Sequence, residues 1–99
     1  MNVRLLEAAE QELDETIAYY NAQAFGLGDA FLLEALRVFD LVVAHPLAWH
    51  PLEDGVRWCR TNRFPYAVVY ACESDEILVL AVANLHRKPS YWADRVKRE

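Results

Sequence analysis

Glycine is scarce in this sequence, three residues in 99, and Gly26, Gly28 and Gly55 are not spaced as a loop that cradles a phosphate. Cysteine is scarcer still. Cys59 and Cys72 fall in strand-like stretches with no cysteine or histidine at metal-ligand spacing, so reduced, buried thiols are expected rather than a disulfide or metal framework. His45, His50, Glu53 and Asp54 share a proline-broken stretch without a recognised ligand pattern, and no metal or other cofactor is expected. No serine, histidine and acid combine into a nucleophilic triad. No apolar run nears the roughly 20 residues that span a bilayer, and no basic segment followed by an apolar one opens the chain, which points to the cytoplasm and away from a membrane. Positive charge is also in deficit: 10 Lys and Arg stand against 15 Asp and Glu, a net charge of −5. That excludes a protein whose whole surface grips nucleic acid, because such binding neutralises phosphates with Lys and Arg.

What is present is apolar. Hydrophobic residues make up 55% of the chain and charged ones 25%, enough for one real core, and residues 1–99 are expected to form a single domain. The charges are segregated. Most acids precede Asp54, whereas Arg57, Arg60, Arg63, Arg87, Lys88, Arg95, Lys97 and Arg98 follow it.

Periodicity gives the elements. Val3 to Leu6 reads as a first strand. From Glu7 to Ala24, apolar Ala9, Leu13, Ile17, Tyr20 and Ala24 recur every three or four residues between acids, which predicts an amphipathic helix. Phe25-Gly26-Leu27-Gly28 reverses the chain, and a second helix is expected from Asp29, as its cap, to Ala44, with Phe31, Ala35, Val38, Phe39 and Val42 facing inward. His45-Pro46 stops it. An irregular link through Pro51 and Gly55 follows, with Trp49 against the core. Three strands are then expected at Val56–Thr61, Tyr66–Cys72 and Ile77–Ala83, the last two joined at Ser74-Asp75. Both are apolar on both parities, so both of their faces should be covered. Pro89 opens a short helix containing Tyr91, Trp92 and Arg95, before a frayed basic tail. If direction alternates at every link, the first strand pairs antiparallel with the last. The expected architecture is α+β: a helical hairpin on one face of a four-stranded antiparallel sheet, with the Tyr91-Trp92 segment, a partner, or both over the other face.

The order of several short motifs is more specific than the pattern. They are Glu12-Leu13, Ile17-Ala18-Tyr19-Tyr20, Gly26-Leu27-Gly28, Arg57, Asn62-Arg63-Phe64-Pro65-Tyr66, Val68, Tyr70, Val79-Leu80-Ala81-Val82-Ala83, Arg87, Pro89, Tyr91-Trp92 and Arg95. Taken together they resemble the ParE-like branch of the RelE/ParE toxin family across nearly the whole chain. The resemblance implies the same fold and a type II toxin-antitoxin toxin of the plasmid-stabilising kind, inhibiting growth and held in a hetero-oligomer by a cognate antitoxin. ParE-like relatives are associated with poisoning DNA gyrase, RelE-like ones with cutting messenger RNA on the ribosome.

The expected surface for target or antitoxin consists of Arg57, Arg60, Arg63, Asn84, Arg87, Tyr91, Trp92 and Arg95, with no catalytic residue. Many ParE-like relatives resemble this chain but carry histidine at the place of Asn84, and asparagine cannot shuttle protons near neutral pH. The alternative is a ribosome-dependent endoribonuclease, in which Arg63, Arg87 and Tyr91 would supply charge and a weak acid, with His86 as acid or base. A third reading is a degenerate, non-toxic binding module. Tyr19, Tyr20, Tyr66 and Tyr70 are expected in the core rather than in a site.

Overall fold

The stripe of Ala9, Leu13 and Thr16 turns the acidic N-terminal stretch into helix α1 (Glu7–Gln23), and the Thr16 hydroxyl donates to the Glu12 carbonyl one turn back at 2.7 Å. A computed structural model describes residues 1–98, with side chains as far as Val96. Before α1 lies strand β1 (Asn2–Leu5). Helix α2 (Leu27–Ala44) follows a reversal at Gly26, whose left-handed φ of 79° suits glycine. Asp29 is therefore not the cap that its position suggested, but lies inside the first turn. The N-terminus of α2 is satisfied from the neighbouring helix instead, because the Gly28 N–H donates to Asn21 Oδ1 at 2.7 Å.

The sheet contains five strands in the order β1-β5-β4-β3-β2, with β2 at His50–Pro51, β3 at Val56–Arg60, β4 at Tyr66–Cys72 and β5 at Glu76–Asn84. Two expectations are corrected here. There is a fifth strand, and β1 runs parallel to β5, with Val3 opposite Ile77 and Leu5 opposite Val79. The causes are one and the same. The two-residue β2 pairs antiparallel with β3 and adds one reversal between the second helix and the meander, which inverts the direction of every later strand relative to β1. Two residues carry no period, so nothing in the sequence announced the extra reversal.

The helical hairpin covers one face of this sheet. Phe31, Val38 and Val42 of α2 are fully buried with Val68, Tyr70, Ile77 and Val79 below them. Tyr20, Phe31, Phe64 and Tyr66 close one end as an aromatic cluster, with Phe31 and Phe64 edge-to-face at 5.2 Å. The Tyr70 hydroxyl donates to the Pro46 carbonyl at 2.6 Å, and burial pushes its pKa up to about 12. Tyr66 and Tyr70 are thus core residues, whereas Tyr19 is exposed.

The strands are apolar on both parities for a structural reason. Val69 faces Ala81 and Tyr70 faces Val79, which leaves Leu80 as an unpaired bulge residue. Its insertion turns Leu80 and Ala81 to the same side. Leu78, Leu80, Ala81 and Ala83 thus meet Val56 and Val69 on the face away from the helices. Tyr91, Trp92 and Val96 pack over that face. The short helix expected there is a 3₁₀ segment, Ala93–Arg98, preceded by turns that carry Tyr91 and Trp92. The fraying expected of the tail concerns Lys97 to Glu99, whose side chains lie outside the described residues. Among the described residues no helix is long and apolar enough to cross a membrane.

Candidate functional site

The link between β3 and β4 turns on Thr61, whose hydroxyl donates to the carbonyls of Phe64 at 2.6 Å and Tyr66 at 3.2 Å. Glu34 of α2 holds the outside of this loop by accepting the Asn62 and Arg63 N–H groups. Burial raises the Glu34 carboxyl, but those two N–H donors and Arg37 outweigh it and leave the pKa below the ordinary carboxylate value. A depressed folded-state pKa stabilises above the unfolded value and is lost as pH falls through the folded one. The Asn62 and Arg63 amides should accordingly exchange faster with solvent as pH is lowered below the ordinary carboxylate range, after correction for intrinsic rates, and show no such step in Glu34→Gln.

Arg63 is committed to this loop. Its guanidinium lies 5.2 Å from the Phe64 ring, and it lines no part of the cavity described next. Arg57 also points elsewhere. Strand alternation sends it to the helix side of β3, where it donates to the Trp49 carbonyl at 2.9 Å. The eight surface residues expected from sequence therefore do not form one patch.

Five of them do converge. Arg60, Asn84, Arg87, Tyr91 and Trp92 line a cavity of about 410 Å³ between β3 and the C-terminal segment, floored by Val69 and Ala83 and walled by Trp58. Lys88 and Ser90 complete the rim. The face opposite the helices is thus neither bare nor sealed: the chain's own aromatics cover part of it and leave this opening. Asn84 shapes the way in. Its Oδ1 accepts the His86 N–H at 2.8 Å and its Nδ2 donates to the Tyr66 hydroxyl at 3.3 Å. Ser90 adopts a left-handed φ of 65°, which for a residue with a β-carbon costs about 1 kcal/mol and brings Tyr91 back beneath Arg87.

The residue that organises this segment, Glu12, was missed as a site residue. Its carboxylate accepts two bonds from Arg95, at 3.0 and 3.0 Å, one from the Tyr91 hydroxyl at 2.9 Å and one from the Val82 N–H at 3.0 Å. Beyond Leu5, strand β1 no longer covers the edge of β5, and side chains take its place there: Glu12 receives the Val82 N–H, and the Leu80 carbonyl accepts from Arg95 at 2.9 Å. Arg95 is therefore a buttress behind Tyr91 rather than a rim residue. Arg87 stays mostly exposed, its guanidinium 3.8 Å from the Tyr91 ring centre and 3.8 Å from Glu12. Burial and then the Glu12 hydrogen bond push the Tyr91 phenol well above its ordinary range, so it holds its proton at neutral pH. His86 is exposed and does not line the cavity. Among the described residues no group of three or more His, Cys, Asp or Glu side chains could hold a metal ion.

The fold itself has a solved counterpart. A chain of the chromosomal ParDE toxin-antitoxin system from P. aeruginosa superimposes with a TM-score of 0.76 at 20% identity, over 87% of this chain and 97% of that one. Among curated proteins none matches. The family model of the ParE toxin of the type II toxin-antitoxin system parDE matches residues 3–89, and the chain belongs to that family. The matched stretch contains Glu12, Arg60 and Arg87 and ends before Tyr91, Trp92 and Arg95.

Proposed function

We propose that this chain is a cytoplasmic type II toxin that arrests growth by binding DNA gyrase, and that a cognate antitoxin neutralises it in a hetero-oligomer. The family match over residues 3–89 carries this reading. The site geometry supports action by binding rather than catalysis. Of the four groups an endoribonuclease would use, Arg87 and Tyr91 meet, but Tyr91 has its proton committed to Glu12, Arg63 lies outside the cavity and His86 is turned to solvent, so the set does not assemble. What does meet is a set of cations, Arg60, Arg87 and Lys88, over an apolar floor, which is the chemistry of a protein-recognition surface.

Purified protein added to gyrase and supercoiled plasmid should leave linear DNA after detergent and protease, and Arg87→Glu should weaken this by about tenfold or more. Induction in bacteria should stop growth, and co-expressed antitoxin should restore it. Intact plasmid, with new messenger ends on the ribosome, would instead establish the endoribonuclease; normal growth at a verified protein level would establish a non-toxic binding module.

A further inference from the structure

A second cavity, of about 480 Å³, opens between α2 and the end of β3, a volume that suits a small molecule. Neither Arg87 nor the Tyr91-Trp92 segment takes part in it. Its apolar surface is built on two indoles, those of Trp49 and Trp58. Trp49 is fixed at both ends: its Nε1–H donates to the Leu41 carbonyl at 3.2 Å, and its own carbonyl accepts from Arg57 at 2.9 Å. Trp58 packs against the cluster around Leu80 and meets the His50 ring at 5.7 Å. Both rings are therefore in place before anything binds, which lowers the cost of stacking a flat molecule on them.

The polar lining is cationic and largely unspent. Arg37 donates from Nε to Glu34 at 3.4 Å, and its terminal nitrogens meet no acceptor among the described residues. The Arg60 guanidinium, the His50 imidazole and the Asn62 side-chain amide have no hydrogen-bond or ion-pair partner among the described residues. No aspartate or glutamate lines the cavity among those residues, although the chain carries a net charge of −5. Glu34 is drawn off to the Asn62 and Arg63 N–H groups. The cavity thus gathers donors over an aromatic floor and contains no anion of its own for them.

We infer that this cavity binds a purine nucleoside monophosphate, with its base against the indoles and its phosphate on Arg37 and Arg60. The paired cations favour a phosphate over a carboxylate. A phosphate monoester carries about −1.5 to −2 charges and three acceptor oxygens, enough for two guanidinium groups, whereas one carboxylate is satisfied by a single bidentate arginine. The indoles favour a nucleobase over a sugar or an alkyl chain, because every base has a face that stacks on an aromatic ring. The free Asn62 amide favours adenine, whose N6 donor and N7 acceptor match a side-chain carbonyl and amino group. Charge also favours a single nucleotide over a strand, since a chain this acidic repels a polyphosphate outside the local cationic strip. The site goes beyond the growth-arrest reading and stands whether or not gyrase is the target.

Adenosine 5′-monophosphate added to the full-length protein at low salt should quench tryptophan emission excited beyond the adenine band. The quench should saturate with a Kd on the order of 0.1 mM. The same titration should shift the nuclear magnetic resonance signals of the Trp49 indole and the Asn62 side-chain amide. Adenosine, ribose 5-phosphate and inorganic phosphate each lack part of the ligand and should bind about tenfold more weakly or worse. Arg37→Gln and Arg60→Gln should each lower the affinity about tenfold with native near-ultraviolet dichroism, whereas Arg63→Gln, outside the cavity, should leave it unchanged. Absence of saturable quenching, equal affinity for adenosine or for inorganic phosphate, shifts at Ser90 and Trp92 in place of Asn62, or undiminished binding by both arginine variants would each overturn the inference. Tighter binding of an oligoadenylate per site would overturn it too, by making the cavity part of a strand-binding groove.

Discussion

Glu12→Ala should lower the unfolding free energy by about 3 kcal/mol, a large share of the 5–15 kcal/mol typical of domains this small. Four hydrogen bonds from three groups end on this one carboxylate, whose side chain is 14% exposed. Its loss leaves the Val82 N–H without its acceptor, the Tyr91 hydroxyl without its partner and Arg95 without its counter-charge. The cost falls at the low end of that for breaking a buried pair, because Arg95 retains some access to water. The effect should begin locally. Trp92 emission should shift to the red and amides of residues 91–98 should exchange faster at denaturant concentrations where the sheet is still intact. Glu12→Gln keeps an acceptor for Val82 and should lose about half as much. A urea midpoint unchanged in Glu12→Ala would show that Glu12 does not hold the segment.

Gly28→Ala should be comparably costly, on the order of 3 kcal/mol. A β-carbon at this position would overlap the Ile17 carbonyl oxygen and crowd the Asn21 amide. Neither can yield easily, since the carbonyl belongs to α1 and Asn21 accepts the Gly28 N–H that begins α2. The helices would have to separate where they cross. Gly26→Ala and Gly55→Ala are the contrast. Both positions have positive φ, 79° and 75°, but open space around the missing β-carbon, so each should cost about 1 kcal/mol through backbone conformation alone. Thermal melts that rank Gly28→Ala level with these two would disprove the steric argument.

The sequence made the helices readable because their inward stripes are long and regular: Phe31, Ala35, Val38, Phe39 and Val42 are all buried as expected. Strand β4 was readable to the residue for a similar reason, a dense apolar run closed by polar turns. Sheet direction was not, because it hinged on His50 and Pro51, too few residues to carry a pattern. The apolar density of β5 pointed correctly to two covered faces, yet the Leu80 bulge that helps to produce it has no signature without its partner strand.

The lining of the candidate cavity was half legible. Arg60, Arg87, Tyr91 and Trp92 could be found because cations and aromatics after the last strands stand out in an acidic chain. Glu12 stood out only within the Glu12-Leu13 motif and not as a site residue, since it sits among Glu10, Gln11, Asp14 and Glu15 like one more solvated acid. A faint signal existed: Glu12 lies three residues after Ala9 and four before Thr16, both buried, on the shoulder of the inward stripe. Arg57 and Arg63 were grouped with Arg60 by proximity in sequence, but the pleat and the Glu34-held loop direct them to other surroundings.

The parallel seam between the first and fifth strands gives synthesis a direction. Asn2–Leu5 find their partners only at Glu76–Val79, and Glu12 finds its own only at Val82, Tyr91 and Arg95. A nascent chain therefore carries its first strand unpaired until Glu76–Val79 have been made, and contacts this distant along the chain form slowly. A ribosome paused anywhere before the last strand would hold a product with no finished sheet and no cationic opening.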